Sequence, residues 1–149
     1  DQLLKRQKKY DPDRQLWVVF DYDIRHEVNE AFDYSQAIEL AHRNGMHVAY
    51  SNDSFELWFV LHSRYHNTAI TRKEYYEILS SELNCNYEEE GKTKEFARSL
   101  YQIFLTRQKD AIQNARRLYE DNRHLNFHDQ NPCTTVFQLV EQLNKCLRR

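Results

Sequence analysis

Two short apolar runs near the start of the chain flank a segment with helical spacing. Residues 16–20 (LWVVF) are apolar without interruption, which is typical of a strand buried on both faces. A helix is expected next, with Asp33 and Gln36 as a capping-box pair and Gly45 just past its end. Residues 46–50 (MHVAY) predict a second strand. A strand, a helix and a strand of these lengths predict parallel pairing through a right-handed crossover.

The rest of the chain has mainly helical spacing. Residues 55–62 (FELWFVLH) are apolar almost all the way round, which is typical of a buried helix. Thr71 and Glu74 form a second capping-box pair, and apolar residues recur at helical intervals over 95–120. A last helix is expected to start near Thr135. Together these patterns predict an α/β protein in which a small parallel sheet is followed by a helical C-terminal half.

Composition narrows the class of protein. Apolar residues make up 40% of the 149 residues, so a globular core is expected. Lys and Arg number 21 against 23 Asp and Glu, so the overall charge does not predict general attraction to nucleic acid. The cysteines at 85, 133 and 146 form no CxxC pair, which favours a reduced, cytoplasmic compartment. No apolar run approaches the roughly 18 residues of a membrane span, so no membrane partner is expected.

Polar side chains follow both predicted strands. Asp21 and Asp23 come directly after the first strand, and Ser51 and Asn52 come after the second. The carboxyl ends of parallel strands meet at one edge of a sheet, where ligands commonly bind. Two carboxylates two residues apart point the same way on an extended chain and suit a hard cation. We therefore expect Asp21 and Asp23 to hold Mg²⁺ or Mn²⁺, with Ser51 and Asn52 in support.

A plainer interpretation of the acidic pair stays open. Asp21 and Asp23 could start a polar loop, pair with Arg25 or cap the next helix, although their place at a strand end favours the metal. Glu56, in the first turn of the buried helix, is the third candidate ligand and catalytic group. Its spacing from Asp53 fits a capping box equally well, and an acid there suits the helix dipole.

Three further residues are weaker candidates. His62 ends the buried helix and could approach the acidic edge from within. His62 and His66 are four residues apart, as zinc ligands on a helix can be, but a buried or solvated position is the better interpretation of both histidines. Lys92 and Lys94 lie in a polar segment, 84–95, that is expected to be a mobile loop. They could contact a phosphate backbone, or simply be solvated, and the segment lacks a complete phosphate-loop pattern.

Three segments carry a family resemblance. WVVFDYD (17–23), VAYSNDSFELWFVLH (48–62) and NPCTTVFQLVEQL (131–143) together resemble the RloB-like family. The middle motif of that family has a proline where this chain has Asp53, and the last segment matches its NP-x-T-x-V pattern. The combination of segments is specific, although each one alone would be weak.

The resemblance implies a Toprim-like core and phosphodiester chemistry. The family is associated with bacterial and archaeal defence loci, often beside an ABC- or AAA-type ATPase. A Toprim-like core carries a glutamate after an early strand and a DxD pair that hold magnesium, so Asp21 and Asp23 would be the DxD. No EG-x-TE motif precedes Asp21, so the N-terminal part of the core is expected to be missing; the alternative is that this protein departs from the family pattern, which would argue against catalysis. Residues 1–66 would then be the C-terminal part of that core, and 67–149 a helical extension packed on the same domain.

Three functions remain open at this stage. The first is a metal-dependent nuclease or nuclease-like defence subunit acting on DNA or RNA through Asp21, Asp23 and Glu56. The second is a haloacid-dehalogenase-type phosphatase with Asp21 as nucleophile and Asp23 as general acid, which is disfavoured because no glycine or threonine follows the pair. The third is a non-catalytic module that docks on the ATPase through the helical half.

Overall fold

The chain folds as a three-stranded sheet with helices on both faces. The computed structural model describes residues 15–22, 29–91 and 93–147. The strands are β1 (Trp17–Asp21), β2 (His47–Asn52) and β3 (Cys133–Thr134); the helices are α1 (Glu30–Arg43), α2 (Glu56–Val60), α3 (Arg72–Leu83), α4 (Tyr87–Glu90), α5 (Lys94–Leu105), α6 (Gln108–Asn122) and α7 (Val136–Leu147), with a 3₁₀ turn at Phe127–Asp129. The predicted class is confirmed: a mixed α/β protein with a mainly helical C-terminal half. Among the helices described, none is long and apolar enough to cross a lipid bilayer.

The sheet has the order β1-β2-β3. β1 and β2 are parallel, as the strand-helix-strand pattern predicts, and Asp21 is paired with Ser51 at their carboxyl ends. β3 was not predicted; it runs antiparallel to β2, where Cys133 lies opposite Asn52. β2 is buried along nearly its whole length, whereas Val19 in β1 is 50% exposed. The expectation that the first strand is buried on both faces is therefore wrong, because the face that carries Val19 is only partly covered.

The helix ends show which local signals decide structure. Thr71 and Glu74 form the predicted capping box at the start of α3, with each side chain bonded to the backbone of the other. Gly45 has a φ of 71°, the left-handed conformation expected of a residue just past a helix end. The predicted capping box at Asp33 is wrong, because α1 begins at Glu30 and Asp33 therefore lies inside the helix.

The core is divided by the sheet into two clusters. On one face α1 packs Tyr34 and Ile38 against Val48 and Tyr50 of β2. On the other face Ala49 joins a larger cluster built by the other helices: Leu57, Val60, Leu61, Tyr75, Leu79, Leu100, Phe104, Ala111, Ala115, Leu118, Val136 and Phe137. Because successive residues of a strand point to opposite faces, β2 supplies side chains to both clusters.

Residues just before α7 form hydrogen bonds with β2 on the side of the strand opposite β1. The Tyr50 backbone N–H donates to Thr135 Oγ1 at 2.9 Å, and the Thr135 N–H donates to the Tyr50 carbonyl oxygen at 2.8 Å. Ser51 Oγ and Thr134 Oγ1 form a further buried hydrogen bond of 2.8 Å. Thr135 therefore continues the pairing of β3 with β2 by one residue, and it joins β2 to the segment before α7.

Replacing Thr135 with valine tests this link. Thr135→Val keeps the shape of the side chain but leaves the buried Tyr50 N–H without an acceptor, so the free energy of unfolding should fall by about 1–3 kcal/mol. The control is Thr106→Val, at an exposed position, which should stay within about 0.5 kcal/mol of the wild type. Urea unfolding followed by circular dichroism measures both. Equal stability of the two variants would show that the Thr135 hydroxyl is not needed.

Candidate functional site

Asp21 ends β1 at the carboxyl edge of the sheet. Its side chain is 33% exposed, and its Oδ2 accepts a hydrogen bond of 2.8 Å from Nη2 of Arg72, the first residue of α3. One further backbone bond, from the Tyr22 N–H to the Ser51 carbonyl oxygen at 2.9 Å, holds the chain to β2 beyond Asp21. The negative charge at the end of this strand is therefore balanced, among the described residues, by an arginine from a helix that follows much later in the chain.

Ser51 is the strand partner of Asp21, and Asn52, the next residue, faces the opposite side of the sheet. Ser51 is fully buried and bonded to Thr134. Asn52 is also fully buried, and its Nδ2 donates to the carbonyl oxygen of His128 at 2.9 Å. Its Oδ1 has no hydrogen-bond partner among the described residues. The predicted supporting pair is thus divided: Ser51 shares the face of Asp21, and Asn52 ties the 3₁₀ turn to the other face.

Glu56 is the first residue of α2 and is held by two hydroxyl groups. Ser54 Oγ donates to Glu56 Oε2 in a short hydrogen bond, and the Tyr87 hydroxyl donates to Oε1 at 3.4 Å. Burial, followed by the charge of Glu56, raises the pKa of the Tyr87 hydroxyl, so that it stays protonated and can donate. The alternative capping box with Asp53 does not form, because α2 has Phe55 at its N-cap and no side-chain cap bond.

His62 lies in an apolar groove between α2, α5 and α7. The groove encloses about 420 Å³ and is lined by Phe55, Trp58, Phe104, Val140 and Leu143 among others. The His62 ring lies 4.6 Å from the Phe104 ring, and its Nδ1 is 2.8 Å from the Trp58 carbonyl oxygen. Burial lowers its pKa, so the ring is neutral near pH 7. The structure therefore places His62 against α5, and the expected approach to the acidic edge is not what its contacts show.

Two of the remaining candidates lie outside the described residues. Asp23 and Lys92 both fall in the gaps, so their positions stay predictions. Lys94 is exposed and begins α5, directly after its N-cap Thr93. Part of the segment expected to be a mobile loop is helical, because α4 forms over Tyr87–Glu90.

The donor set at the edge fits a magnesium-type site in one respect. Within the described residues no three His, Cys, Asp or Glu side chains are grouped so that they could hold a metal. Magnesium, however, is commonly held by one or two carboxylates, with waters and substrate phosphates as the other ligands. Asp21 meets that requirement in part, since its side chain is one-third exposed and Arg72 is bonded to one of its two oxygens, Oδ2. Glu56 meets it less well, because both of its oxygens already accept hydrogen bonds.

Comparison with known proteins decides the family. The sequence model described as RloB-like protein matches residues 1–143, nearly the whole chain. The chain belongs to the RloB-like family. No curated protein and no solved structure gives a significant match. The family match confirms the resemblance drawn from the three motif segments, and it spans every candidate residue from Asp21 to Lys94.

Arg72 is the residue of this edge that the sequence did not single out. The pattern placed it only at the start of a helix, beside the capping threonine. One signal was available: a cation is unfavourable at the N-terminal end of a helix, where the helix dipole is positive, so an arginine there calls for an anionic partner. Nothing in the local pattern identifies that partner as Asp21, which lies 51 positions earlier.

The neutral state of His62 makes stability depend on pH. Its pKa is lowered in the folded state, so the unfolded chain takes up the proton first as the pH falls below about 6.5. Stability present above that pH should therefore decline as the pH falls below about 6.5, and His62→Phe should flatten this decline. Urea unfolding at several pH values measures it, with the exposed His124→Phe as the control. The same slope in His62→Phe and wild type would contradict the assignment.

Proposed function

We propose that this protein is a metal-dependent, phosphodiester-cleaving subunit of a bacterial or archaeal defence system that works with an ATPase partner. The observation that carries the proposal is the position of Asp21, paired with Arg72, at the carboxyl edge of two parallel strands in a chain that belongs to the RloB-like family. Asp23, two positions further on, and Glu56, at the start of α2, are the proposed companions of Asp21 in the metal site.

The residues of the edge have separate tasks in this proposal. Asp21 and Asp23 would hold Mg²⁺ or Mn²⁺; when bound, the ion supplies charge neutralisation at the phosphodiester and activation of a water. Glu56 is oriented by hydrogen bonds from Ser54 and Tyr87, which suits a group that accepts a proton from water. Lys94 is exposed at the start of α5 and, with Lys92, would contact the phosphate backbone of DNA or RNA.

Neutralising Asp21 tests the proposed activity. Asp21→Asn keeps the size of the side chain but removes its charge, so Mn²⁺-dependent cleavage of DNA or RNA should fall by about 100-fold or more. The matched control is Asp33→Asn, which makes the same charge change on the exposed face of α1 and should leave cleavage unchanged. Cleavage of single- and double-stranded DNA and RNA is measured with and without the proposed ATPase partner.

Three outcomes separate the candidate functions. Cleavage that needs the metal and is lost in Asp21→Asn alone supports the nuclease. Cleavage that survives in Asp21→Asn contradicts the proposed site. No cleavage by any variant, with or without the ATPase, contradicts the nuclease and favours the docking module.

A second candidate function, docking on the ATPase without catalysis, is favoured by the apolar groove. Several apolar side chains along it remain exposed at the surface: Leu143 is 53% exposed, Leu147 80% and Tyr101 56%. An exposed apolar patch of this kind is typical of a surface that another protein covers. Docking and catalysis are compatible, because the groove and the acidic edge use different residues of α2.

A charged residue in the groove separates docking from catalysis. Leu143→Glu should weaken binding of the ATPase by at least about tenfold, because a charge would be buried in an apolar contact. Leu40→Glu is the control, since Leu40 is 58% exposed on α1, on the other face of the sheet. Calorimetric titration of the purified ATPase measures both. If Leu143→Glu binds the ATPase as tightly as the wild type does, the groove is not the docking surface, whether or not cleavage changes.

A further inference from the structure

The Arg72–Asp21 pair occupies one of the two carboxylate oxygens at the proposed metal site. The guanidinium Nη2 lies 2.8 Å from Asp21 Oδ2, and both side chains are about one-third exposed. A divalent cation bound to the same carboxylate would lie within a few ångströms of the arginine. Two positive charges at that separation repel each other strongly, because the protein surface screens them far less than bulk water does.

The position of Arg72 in its helix adds a second reason for the pair. Arg72 is the first residue of α3, and the capping box between Thr71 and Glu74 fixes that helix start. The guanidinium therefore lies at the positive end of a 12-residue helix, where an anion is favoured and a cation is not. Asp21 is an anion that offsets this arrangement in the structure, in addition to Glu74 in the first turn of the helix. A phosphate group would offset it as well, and a guanidinium matches two phosphate oxygens at once.

We infer that Arg72 is a placeholder cation for the metal site: it pairs with Asp21 until a phosphodiester takes over the guanidinium, which frees the carboxylate for Mg²⁺ or Mn²⁺. The inference rests on the proposed function, because it concerns the same site. Metal and phosphodiester then bind cooperatively, since each favours the state in which Arg72 has left Asp21. Without a phosphodiester, Arg72 keeps the metal affinity low.

Metal binding alone, measured without any cleavage, tests the first half of this inference. Arg72→Gln removes the competing charge but keeps a polar side chain, so Mn²⁺ should bind the full chain about fivefold to tenfold more tightly than it binds the wild type. Arg64→Gln is the matched control, because it removes an arginine from another ion pair, 3.7 Å from Glu82, and changes the net charge equally. Electron paramagnetic resonance of free Mn²⁺ gives the affinities, and Asp21→Asn identifies binding at this site.

Dimethyl phosphate, a minimal phosphodiester, tests the second half. Its addition should tighten Mn²⁺ binding to the wild type severalfold and should leave binding to Arg72→Gln unchanged. Arg72→Lys keeps the charge and should behave like the wild type with the metal alone, which separates loss of charge from loss of packing. Circular dichroism of each variant checks that the fold is kept.

The outcomes distinguish this inference from the function on which it rests. If Mn²⁺ binds the wild type through Asp21, but Arg72→Gln binds it no more tightly than Arg64→Gln does, the placeholder role is wrong and the metal site stands. If Arg72→Gln responds to dimethyl phosphate as the wild type does, the coupling is wrong. If Mn²⁺ binds none of the variants, both the placeholder role and the metal-dependent function fall.

Discussion

The buried strand β2 is the constraint on which the rest of the structure depends. It pairs with β1 on one edge, with β3 and Thr135 on the other, and it packs helices against both faces. A strand in that position has to satisfy every backbone donor and acceptor internally, because no water reaches them. The parallel pairing places Asp21 beside Ser51, and the antiparallel pairing brings the segment before α7 to the same edge. The pairing of β2 with its two neighbours therefore positions the residues of the candidate site.

Patterns of neighbouring residues predicted the strands and helix ends that depend mainly on neighbouring residues. The apolar runs gave both parallel strands to within two residues at each end, and Gly45 and the Thr71–Glu74 pair marked true helix ends. β3 could not be predicted in this way, because it is two residues long and exists only through pairing with Ser51 and Asn52, about 80 positions earlier. Asp33 shows the opposite failure. The residue pattern of a capping box is present, but it does not mark the helix start, because the helix has already begun at Glu30.

The candidate site was likewise predictable only where it depends on neighbouring residues. That Asp21 would end a strand beside Ser51 followed from periodicity and the right-handed crossover. Its charge partner did not follow, because the Arg72–Asp21 contact depends on how α3 lies across the sheet, a tertiary arrangement that no pattern in residues 71–83 encodes. His62 illustrates the same limit, since a histidine at the end of a buried helix can face either way. Packing against Phe104 turned it toward the groove.

The short helix α2 connects the two surfaces that the proposals involve. Glu56, bonded to Ser54 and Tyr87, begins it, and His62 follows its last turn in the apolar groove. Leu57 and Val60 of this helix are fully buried, so one face of the helix is anchored in the core. Phe55 and Trp58, which line the groove, are the immediate neighbours of Glu56 and Leu57 in the sequence. The position of Glu56 and the shape of the groove therefore both depend on how this one short helix packs.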